Sequence, residues 1–386
     1  MDSDLIVSKK DEVYAKITCE RHLAQELSDY FTFFVPGYQF VPAYRNRIWD
    51  GKIRLFSLQT FCLYHGLIPY LKTFCEERGY TLDLGNVDVE DEFSMYHAKK
   101  FTDSLNLYSQ GNSIQINEHQ LEAFVHGMQA KRMLLVSPTS SGKSLIAYLF
   151  FRQLWQYQDL KGLIIVPTTS LVEQLYSDFV DYNYQSGSDI QIEDRIHRIY
   201  QGKEKDTHKP LTISTWQSLY KMPKEYFEQF DYVMGDEAHN FKAQSLTSIM
   251  TNCVNAKYRI GMTGTLDGTK THKLVLEGLF GPVKQFITTK ELIDKGVVSN
   301  FEIKCLVLKH NDEICRKMKE KSTYQDEIAY LISNEARNKF IKNLAVSLGK
   351  NTLVLYQMVE KHGEILYNMI KDTEKIGNRK VFFVHG

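Results

Sequence analysis

The chain has 386 residues, of which 43% are hydrophobic and 24% charged, a composition typical of a globular protein with two or three domains. Lysine plus arginine equals aspartate plus glutamate at 47 each, which excludes a uniformly basic nucleic-acid binder, so phosphate contacts would have to come from local patches. No apolar run is long enough to span a bilayer and no signal-type segment follows the charged N-terminus, so we expect a cytoplasmic protein. The six cysteines lack metal-ligand spacing and are expected to be reduced thiols.

The first part of the chain has mixed hydrophobic periods and predicts a small α+β domain at residues 1–86, followed by a polar connector at 87–110. The expected elements are a strand at Val13–Thr18, a helix at Ala24–Phe34, two short strands within Gly37–Phe56 and a helix at Ile68–Arg78.

Residues 111–296 alternate short apolar runs with segments of helix length. The predicted strands are Met133–Ser137, Gly162–Val166, Leu211–Ser214, Tyr232–Gly235 and Tyr258–Met262. This alternation favours an α/β fold with a doubly wound parallel sheet, in which ligands bind beyond the carboxyl ends of the strands.

Residues 297–386 predict the opening of a second, incomplete α/β domain. The expected elements are strands at Phe301–Leu308, Thr352–Tyr356 and Lys380–Val384 and helices at Ser333–Leu348 and Val359–Ile370.

The strongest chemical signal is Ser137-Pro-Thr-Ser-Ser-Gly-Lys-Ser144, which lies between a predicted strand and a predicted helix. A strand, a Gly-Lys-Ser loop and a helix are the context of a P-loop, although Ser137 replaces the usual first glycine. Lys143 would reach the β and γ oxygens of ATP, Ser144 would ligate Mg²⁺, and the loop would cradle the phosphates. The loop residues are Thr139, Ser140, Ser141 and Gly142.

The second signal is Asp236-Glu-Ala-His239, directly after an apolar strand. Asp236 would hold Mg²⁺, and Glu237 would orient and deprotonate the water that attacks the γ-phosphate. Alone, such an acidic pair is commonly a helix cap or a solvated turn. A P-loop upstream in the same sheet favours catalysis.

Taken in order, the motifs resemble those of the superfamily-two helicases with a DEAH box. They are Gln120, the P-loop at 137–144, Pro167–Ser170, Thr215–Ser218, the box at 236–239 and Thr263–Thr265. Within that superfamily the chain is most similar to phage recombination and repair helicases of the UvsW type. That likeness includes Gly37-Tyr-Gln-Phe40, Trp49-Asp-Gly-Lys-Ile-Arg54 and the tract Pro167–Asp181.

The resemblance implies RecA-like domains and further residue roles. Gln120 would read the adenine, and His239, Thr263 and Thr265 would couple the γ-phosphate state to the neighbouring domain. A single DNA strand would be held through its phosphates by Pro167, Thr168, Thr169, Thr215 and Gln217, which could otherwise be mere strand-terminal turns.

The stretch from Tyr38 to Arg54 interleaves aromatic and basic side chains, a pattern that suits a DNA-contacting surface. Its candidates are Arg45, Arg47, Trp49, Lys52 and Arg54. Aromatic residues in short strands usually pack in a core, so the cations are the stronger candidates.

We therefore expect an ATP-dependent DNA helicase or translocase for duplex or branched DNA in recombination, repair or replication, with RNA as a possible substrate and a monomer favoured. The late motifs of the second motor domain, including its arginine finger, are absent from these residues. Two alternatives stay open: a nucleic-acid-binding module that holds ATP without turnover, and a P-loop ATPase with no nucleic-acid partner. A phage protein would act in the host cytoplasm.

Overall fold

A computed structural model describes residues 3–85, 87, 91–184, 190–200, 208–266, 268–373, 377 and 379–385. The chain divides into two compact units, Met1–Asn300 and Phe301–Gly386. The finer division of the first unit at residues 86 and 110 stays a prediction.

The N-terminal part of the first unit is a small α+β arrangement. Its elements are β1 (Leu5–Lys9), β2 (Tyr14–Cys19), α1 (Arg21–Tyr30), β3 (Thr32–Phe34), α2 (Pro42–Arg45), β4 (Lys52–Arg54), β5 (Phe56–Ser57), β6 (Cys62–Tyr64), α3 (Ile68–Arg78) and β7 (Leu82–Asp83). Among the described residues, five of these strands form one sheet in the order β5-β6-β2-β1-β7, while β3 and β4 pair separately. Ala15 and Ile17 of β2 are fully buried and alternate with exposed neighbours, as expected for a sheet with one covered face.

One prediction for this part was wrong in its extent. The helix expected at Ala24–Phe34 is α1, which ends at Tyr30, because the aromatic and β-branched run after it favours extended backbone and pairs with β4. The two short strands expected at Gly37–Phe56 are β4 and β5, at the end of that range; before them lie a 3₁₀ turn, Tyr38–Phe40, and α2, in which Pro42 occupies the first helical position.

The predicted connector contains a helix of its own. It comprises α4 (Met95–Asp103), β8 (Tyr108–Ser109) and β9 (Asn112–Ser113). Ser94 accepts a hydrogen bond from the backbone N–H of His97 and caps α4. Ala98 and Phe101 of α4 join the core beneath Phe124, so the polar composition of this stretch concealed a packed helix.

The rest of the first unit is a doubly wound sheet. Its elements are α5 (Glu118–Ala130), β10 (Arg132–Val136), α6 (Lys143–Gln158), β11 (Gly162–Val166), α7 (Thr169–Tyr182), β12 (Ile196–Ile199), β13 (Leu211–Thr215), α8 (Trp216–Leu219), α9 (Lys224–Phe227), β14 (Tyr232–Gly235), α10 (Gln244–Asn252), β15 (Tyr258–Thr263), α11 (Lys270–Phe280), β16 (Val283–Lys284) and α12 (Thr289–Asp294). Within the described residues the sheet has seven strands in the order β12-β13-β11-β14-β15-β10-β16, and all neighbours are parallel.

This sheet confirms the predicted fold class and strands. The central strands are buried along their whole length because helices cover both faces, which explains their uninterrupted apolar runs. Parallel strands place their carboxyl ends at one edge, and the P-loop, Pro167, Asp236 and Thr263 all follow or end such strands. The fold thereby gathers at one edge motifs that are far apart in the chain.

Buried polar contacts join the N-terminal sheet to the seven-stranded sheet. The guanidinium of Arg132 donates to the carboxylate of Glu12 at 2.9 Å and to its backbone carbonyl at 2.7 Å. The hydroxyl of Tyr70 donates to the Glu277 carboxylate at 2.7 Å, and the Glu12 backbone N–H donates to the Val254 carbonyl at 2.9 Å. These contacts make the two sheets parts of one unit.

The second unit is helical in its described residues. It contains α13 (Asp312–Lys321), α14 (Tyr324–Ser333), α15 (Glu335–Ser347), a π-helical turn (Val359–Gly363) and α16 (Glu364–Lys371). The predicted helices at Ser333–Leu348 and Val359–Ile370 are confirmed. The three predicted strands are not formed: Val307, Leu353 and Phe382 lie about four-fifths exposed, so the burial that stabilises parallel strands is missing there.

None of the helices in the described ranges combines the length and the apolar character needed to cross a membrane.

Candidate nucleotide site and nucleic-acid surfaces

The backbone of the P-loop adopts conformations that favour an anion cradle. Ser140 and Gly142 have positive φ values of 66° and 84°, which turn the loop sharply before α6 begins at Lys143. A Cβ added to Gly142 would lie 2.1 Å from Nε2 of Gln120, so glycine is needed here for close packing as well as for its conformation.

Ser141 holds the loop closed from within. Its Oγ accepts from Ser137 Oγ at 2.6 Å and donates to the Pro138 carbonyl at 2.7 Å, and both serines are buried. The serine at position 137 therefore has a structural use: its hydroxyl braces the loop where the usual P-loop has glycine.

Gln120 braces the same loop from outside. Its Nε2 donates to the Ser141 carbonyl at 2.9 Å, and its Oε1 accepts from the Asn117 backbone N–H at 2.9 Å. His119 also places Nε2 3.0 Å from the Ser141 carbonyl. Adenine recognition by Gln120 stays a prediction, and both ends of its amide are engaged within the protein.

Lys143 and Ser144 lie at the start of α6, directly beyond the loop. The Lys143 ammonium donates to the carbonyls of Ser137 and Pro138 at 3.1 and 3.3 Å. The Ser144 hydroxyl lies 2.8 Å from the Tyr182 hydroxyl, and burial raises the pKa of the nearby Asp178 carboxyl while Ser144 opposes that rise. Both side chains are thus held at the mouth of the loop by groups that a ligand could replace.

Asp236 and Glu237 follow β14, two strands away from the P-loop strand in the sheet. Burial raises the pKa of the Asp236 carboxyl above its ordinary value, and the nearby Lys143 ammonium opposes this rise. Glu237 has a φ of 49°, a left-handed conformation that non-glycine residues rarely adopt and that is commonly retained at functional sites.

A chain of polar contacts connects the acidic box to the Thr263–Thr265 motif. His239 Nδ1 lies 2.9 Å from the Thr263 hydroxyl and 3.3 Å from the Glu237 carboxylate. The Thr263 hydroxyl donates to the Thr265 carbonyl at 2.9 Å, and the Ser137 N–H donates to the Thr263 carbonyl at 2.9 Å. The structure therefore brings the predicted coupling residues together with the predicted catalytic base.

These groups fit ATP and Mg²⁺. Lys143 is a cation whose present partners are backbone carbonyls, and the loop ends at a helix N-terminus, where an anion is stabilised. Ser144 and Asp236 offer hard oxygen ligands of the kind that Mg²⁺ prefers.

The predicted phosphate contacts on the motor sheet lie at the ends of β11 and β13. Thr168 caps α7 by accepting from the Leu171 N–H, and it is exposed, as are Thr169 and Gln217. Gln217 Nε2 donates to the Pro167 carbonyl at 3.4 Å, which joins the two motifs. Thr215 differs from the others, since it is 5% exposed and its hydroxyl contacts Ser218 Oγ at 3.0 Å.

The N-terminal candidates lie around β4 and α2, away from these motifs in the chain. Arg45 and Arg47 are exposed, and Lys52 lies over the Phe34 ring, 5.0 Å from its centroid. Arg54 forms an ion pair with Asp50, and the Trp49 indole N–H donates to the Lys52 carbonyl at 2.9 Å. Arg45, Arg47 and Lys52 are therefore the stronger candidates for phosphate contacts.

Sequence reasoning did not find the groups that support the site. His119 directly precedes Gln120 in the chain, so its position beside that candidate residue could have indicated a supporting role. Asp178 and Tyr182 lie on α7, far from Ser144 in the chain, and only the packing of α7 against α6 brings them to it.

A P-loop, an acidic box and a Thr-containing motif at the carboxyl edge of one parallel sheet define a RecA-like motor of helicase superfamily two. Residues 4–85 match the family "DNA helicase UvsW, N-terminal", and residues 105–268 match "Type III restriction enzyme, res subunit". The ATP-dependent DNA helicase uvsW of Enterobacteria phage T4 is 34% identical over 391 residues, which cover 99% of this chain and 75% of that protein. The chain belongs to the UvsW family of helicases.

Solved structures support the same assignment. A crystal structure of T4 UvsW covers 96% of this chain and 73% of its own with 32% identity and a TM-score of 0.68. Another, of the UvsW helicase from the same phage, covers 73% of this chain and 99% of its own with 34% identity and a TM-score of 0.67. A DNA 3'-5' translocase, XPB2 of Sulfurisphaera tokodaii, is 26% identical over 203 residues, covering 52% of this chain and 42% of that protein.

Proposed function

We propose that this chain carries an ATP-driven motor that unwinds or translocates on DNA and remodels duplex or branched substrates in recombination, repair or replication. The observation that carries the proposal is the chain of polar contacts that runs from Glu237 through His239 and Thr263 to the P-loop strand. An ATPase that serves as a motor needs such a connection, because hydrolysis must change contacts elsewhere in the protein.

When bound, ATP supplies the γ-phosphoryl group, and Mg²⁺ neutralises the charge on its oxygens. The P-loop N–H groups and Lys143 hold the phosphates, and Ser144 and Asp236 hold the cation. Glu237 orients the attacking water and accepts its proton. Its neighbour His239 transmits the state of the site to Thr263.

DNA is the proposed partner, and the candidate contacts lie on two surfaces. Thr168, Thr169 and Gln217 present hydroxyl, amide and backbone groups suited to the phosphates of one strand. Arg45, Arg47 and Lys52 form a separate cationic surface suited to duplex or branched DNA. As a relative of a phage helicase, the protein would act in the cytoplasm of the host.

The test is ATP hydrolysis by this chain with forked DNA, with duplex DNA and without DNA, together with binding of a fluorescent ATP analogue. We expect nucleotide binding and hydrolysis that rises with DNA. Binding without hydrolysis under every condition would favour an ATP-holding module, and hydrolysis that ignores DNA would favour a P-loop ATPase without a nucleic-acid partner. Lys290→Ala, an exposed change away from the P-loop in the chain, serves as the matched control.

A further inference from the structure

The segment between β3 and β4, residues 35–51, projects from the paired strands as an ordered excursion, here called the 35–51 excursion. The Val35 N–H donates to the Gly51 carbonyl at 2.9 Å and closes its base. Within it, Tyr38 stacks on Phe34 with ring centroids 4.7 Å apart, and Tyr44 meets Tyr38 edge-on at the same distance. Three aromatic rings therefore hold its backbone in place.

Gly51 adds to this rigidity. Its φ is +80°, and an added Cβ would lie 2.5 Å from the Tyr38 ring. The chain thus turns back into β4 at the one residue type that permits both the conformation and the close approach. A surface feature held in this way presents its side chains in a defined position.

Two large apolar side chains of the excursion point into solvent. Phe40 is 74% exposed and Ile48 is 79% exposed, while Tyr44, the aromatic residue between them, is half-buried. Exposing such groups together is unfavourable, and exposed apolar groups that form a patch commonly mark a contact surface.

The same excursion carries exposed cations. Arg45 and Arg47 lie between Phe40 and Ile48 in the chain and are exposed, and Arg45 Nε donates to the Gln39 carbonyl at 3.2 Å. The acid of the excursion, Asp50, is paired with Arg54. The excursion therefore exposes both apolar and positively charged side chains, here together called the patch.

We propose that Phe40 and Ile48 form a wedge that enters the opened base step at the branch point of forked DNA, while Arg45 and Arg47 hold the flanking phosphates. Apolar side chains flanked by cations are the combination that inserts between base steps, and a branch point already exposes the base faces that such side chains can contact. The exposed arginines of the excursion favour a phosphate-rich partner over an apolar protein groove. This proposal rests on the proposed DNA function.

The test compares the parent chain with the Phe40→Ala/Ile48→Ala double variant. Binding is measured by fluorescence anisotropy on a fork and on a continuous duplex of the same length and sequence, and the fork carries 2-aminopurine at the branch point. We expect the double variant to lose about tenfold in fork affinity, to change less than twofold on duplex, and to lose the 2-aminopurine response. Because both side chains are exposed, its melting temperature and basal ATP hydrolysis should match those of the parent.

The matched control is Tyr96→Ala/Val297→Ala, which removes two other exposed apolar side chains of the same unit. A double variant of Phe40 and Ile48 that retains the parent's fork preference and fluorescence response would overturn the wedge. So would an effect confined to sedimentation with anionic phospholipid vesicles, which would make the patch a membrane surface. If the parent binds neither fork nor duplex, both the proposed DNA function and the wedge are wrong. If the parent and the variant each bind fork and duplex with the same affinity, only the wedge is wrong.

Discussion

The P-loop and the 35–51 excursion are both ordered turns, but the polar groups of the P-loop face inward and those of the excursion face solvent. In the P-loop, Ser137, Ser141 and Gln120 are buried and bonded to one another or to backbone atoms. In the excursion, the internal contacts are between aromatic rings and the charged groups are exposed. The first arrangement pre-organises a small site for a compact anion, whereas the second leaves cations available to an extended polyanion. Replacing residues in each region should therefore affect different measurements.

The largest expected effect is that of Lys143→Ala. Removing the ammonium leaves the charge that develops on the γ-phosphate uncompensated, so ATP hydrolysis with forked DNA should fall by at least about a hundredfold. Turnover is followed by phosphate release, with Lys290→Ala as the control. Parent-like turnover in the Lys143 variant would contradict the nucleotide site.

Glu237→Gln should separate binding from chemistry at the same site. The amide keeps the shape of the carboxylate but cannot accept the proton of the attacking water, so hydrolysis should fall by about a hundredfold while ATP binding stays near that of the parent. Binding is measured with a fluorescent ATP analogue. A parallel collapse of nucleotide affinity would show instead that Glu237, in its left-handed conformation, supports the loop.

Glu12→Gln tests the buried pair that joins the two sheets of the first unit. The Arg132 guanidinium would remain buried without its carboxylate, and the free energy of unfolding should fall by about 3 kcal/mol. Urea unfolding followed by circular dichroism measures the change. Glu20→Gln, an exposed acid directly after β2, should leave the midpoint nearly unchanged. An unchanged midpoint for Glu12→Gln would mean that the pair contributes little to the junction.

The smallest expected effect belongs to the cationic surface. Replacing Arg45, Arg47, Lys52 and Arg54 by alanine should reduce the slope of log affinity against log salt by about 3, because roughly one counterion is released per neutralised phosphate and Arg54 is already paired with Asp50. Affinity is measured on forked DNA across a salt series. A second fourfold variant at exposed lysines should leave the slope unchanged; its positions are Lys99, Lys100, Lys290 and Lys295. If both variants show the same slope of log affinity against log salt, the N-terminal cations do not contact DNA phosphates and are merely solvated.

The sequence predicted the motor sheet well because its strands carry a local signal. Buried parallel strands are continuous apolar runs, and the nucleotide motifs lie at their ends, so position along the chain indicated position in space. The buried hydrogen bonds that Ser137 and Gln120 make within the P-loop depend on side-chain geometry, which the spacing of the motifs does not predict.

The predictions failed where local preference and long-range packing disagree. Residues 31–34 continue the hydrophobic period of α1, yet pairing with β4 makes them a strand. Phe40 and Ile48 have the residue types of a core but lie in solvent, and their hydrophobicity alone could not indicate this. Asp178 and Tyr182 meet Ser144 only through the packing of two helices.

The junction between the two sheets also bears on the order in which the protein is made. Glu12 emerges from the ribosome with the N-terminal sheet, but its partner Arg132 begins the motor sheet and its partner Val254 follows only after most of that sheet has been synthesised. Because elongation adds roughly 5–20 residues per second, the N-terminal sheet waits on the order of ten seconds or more before its last polar partner appears. During that interval the surface around Glu12 and Tyr70 is uncovered and open to wrong contacts. Slow elongation or a late truncation would prolong that exposure, so the yield of native protein should depend on how soon β15 and α11 follow.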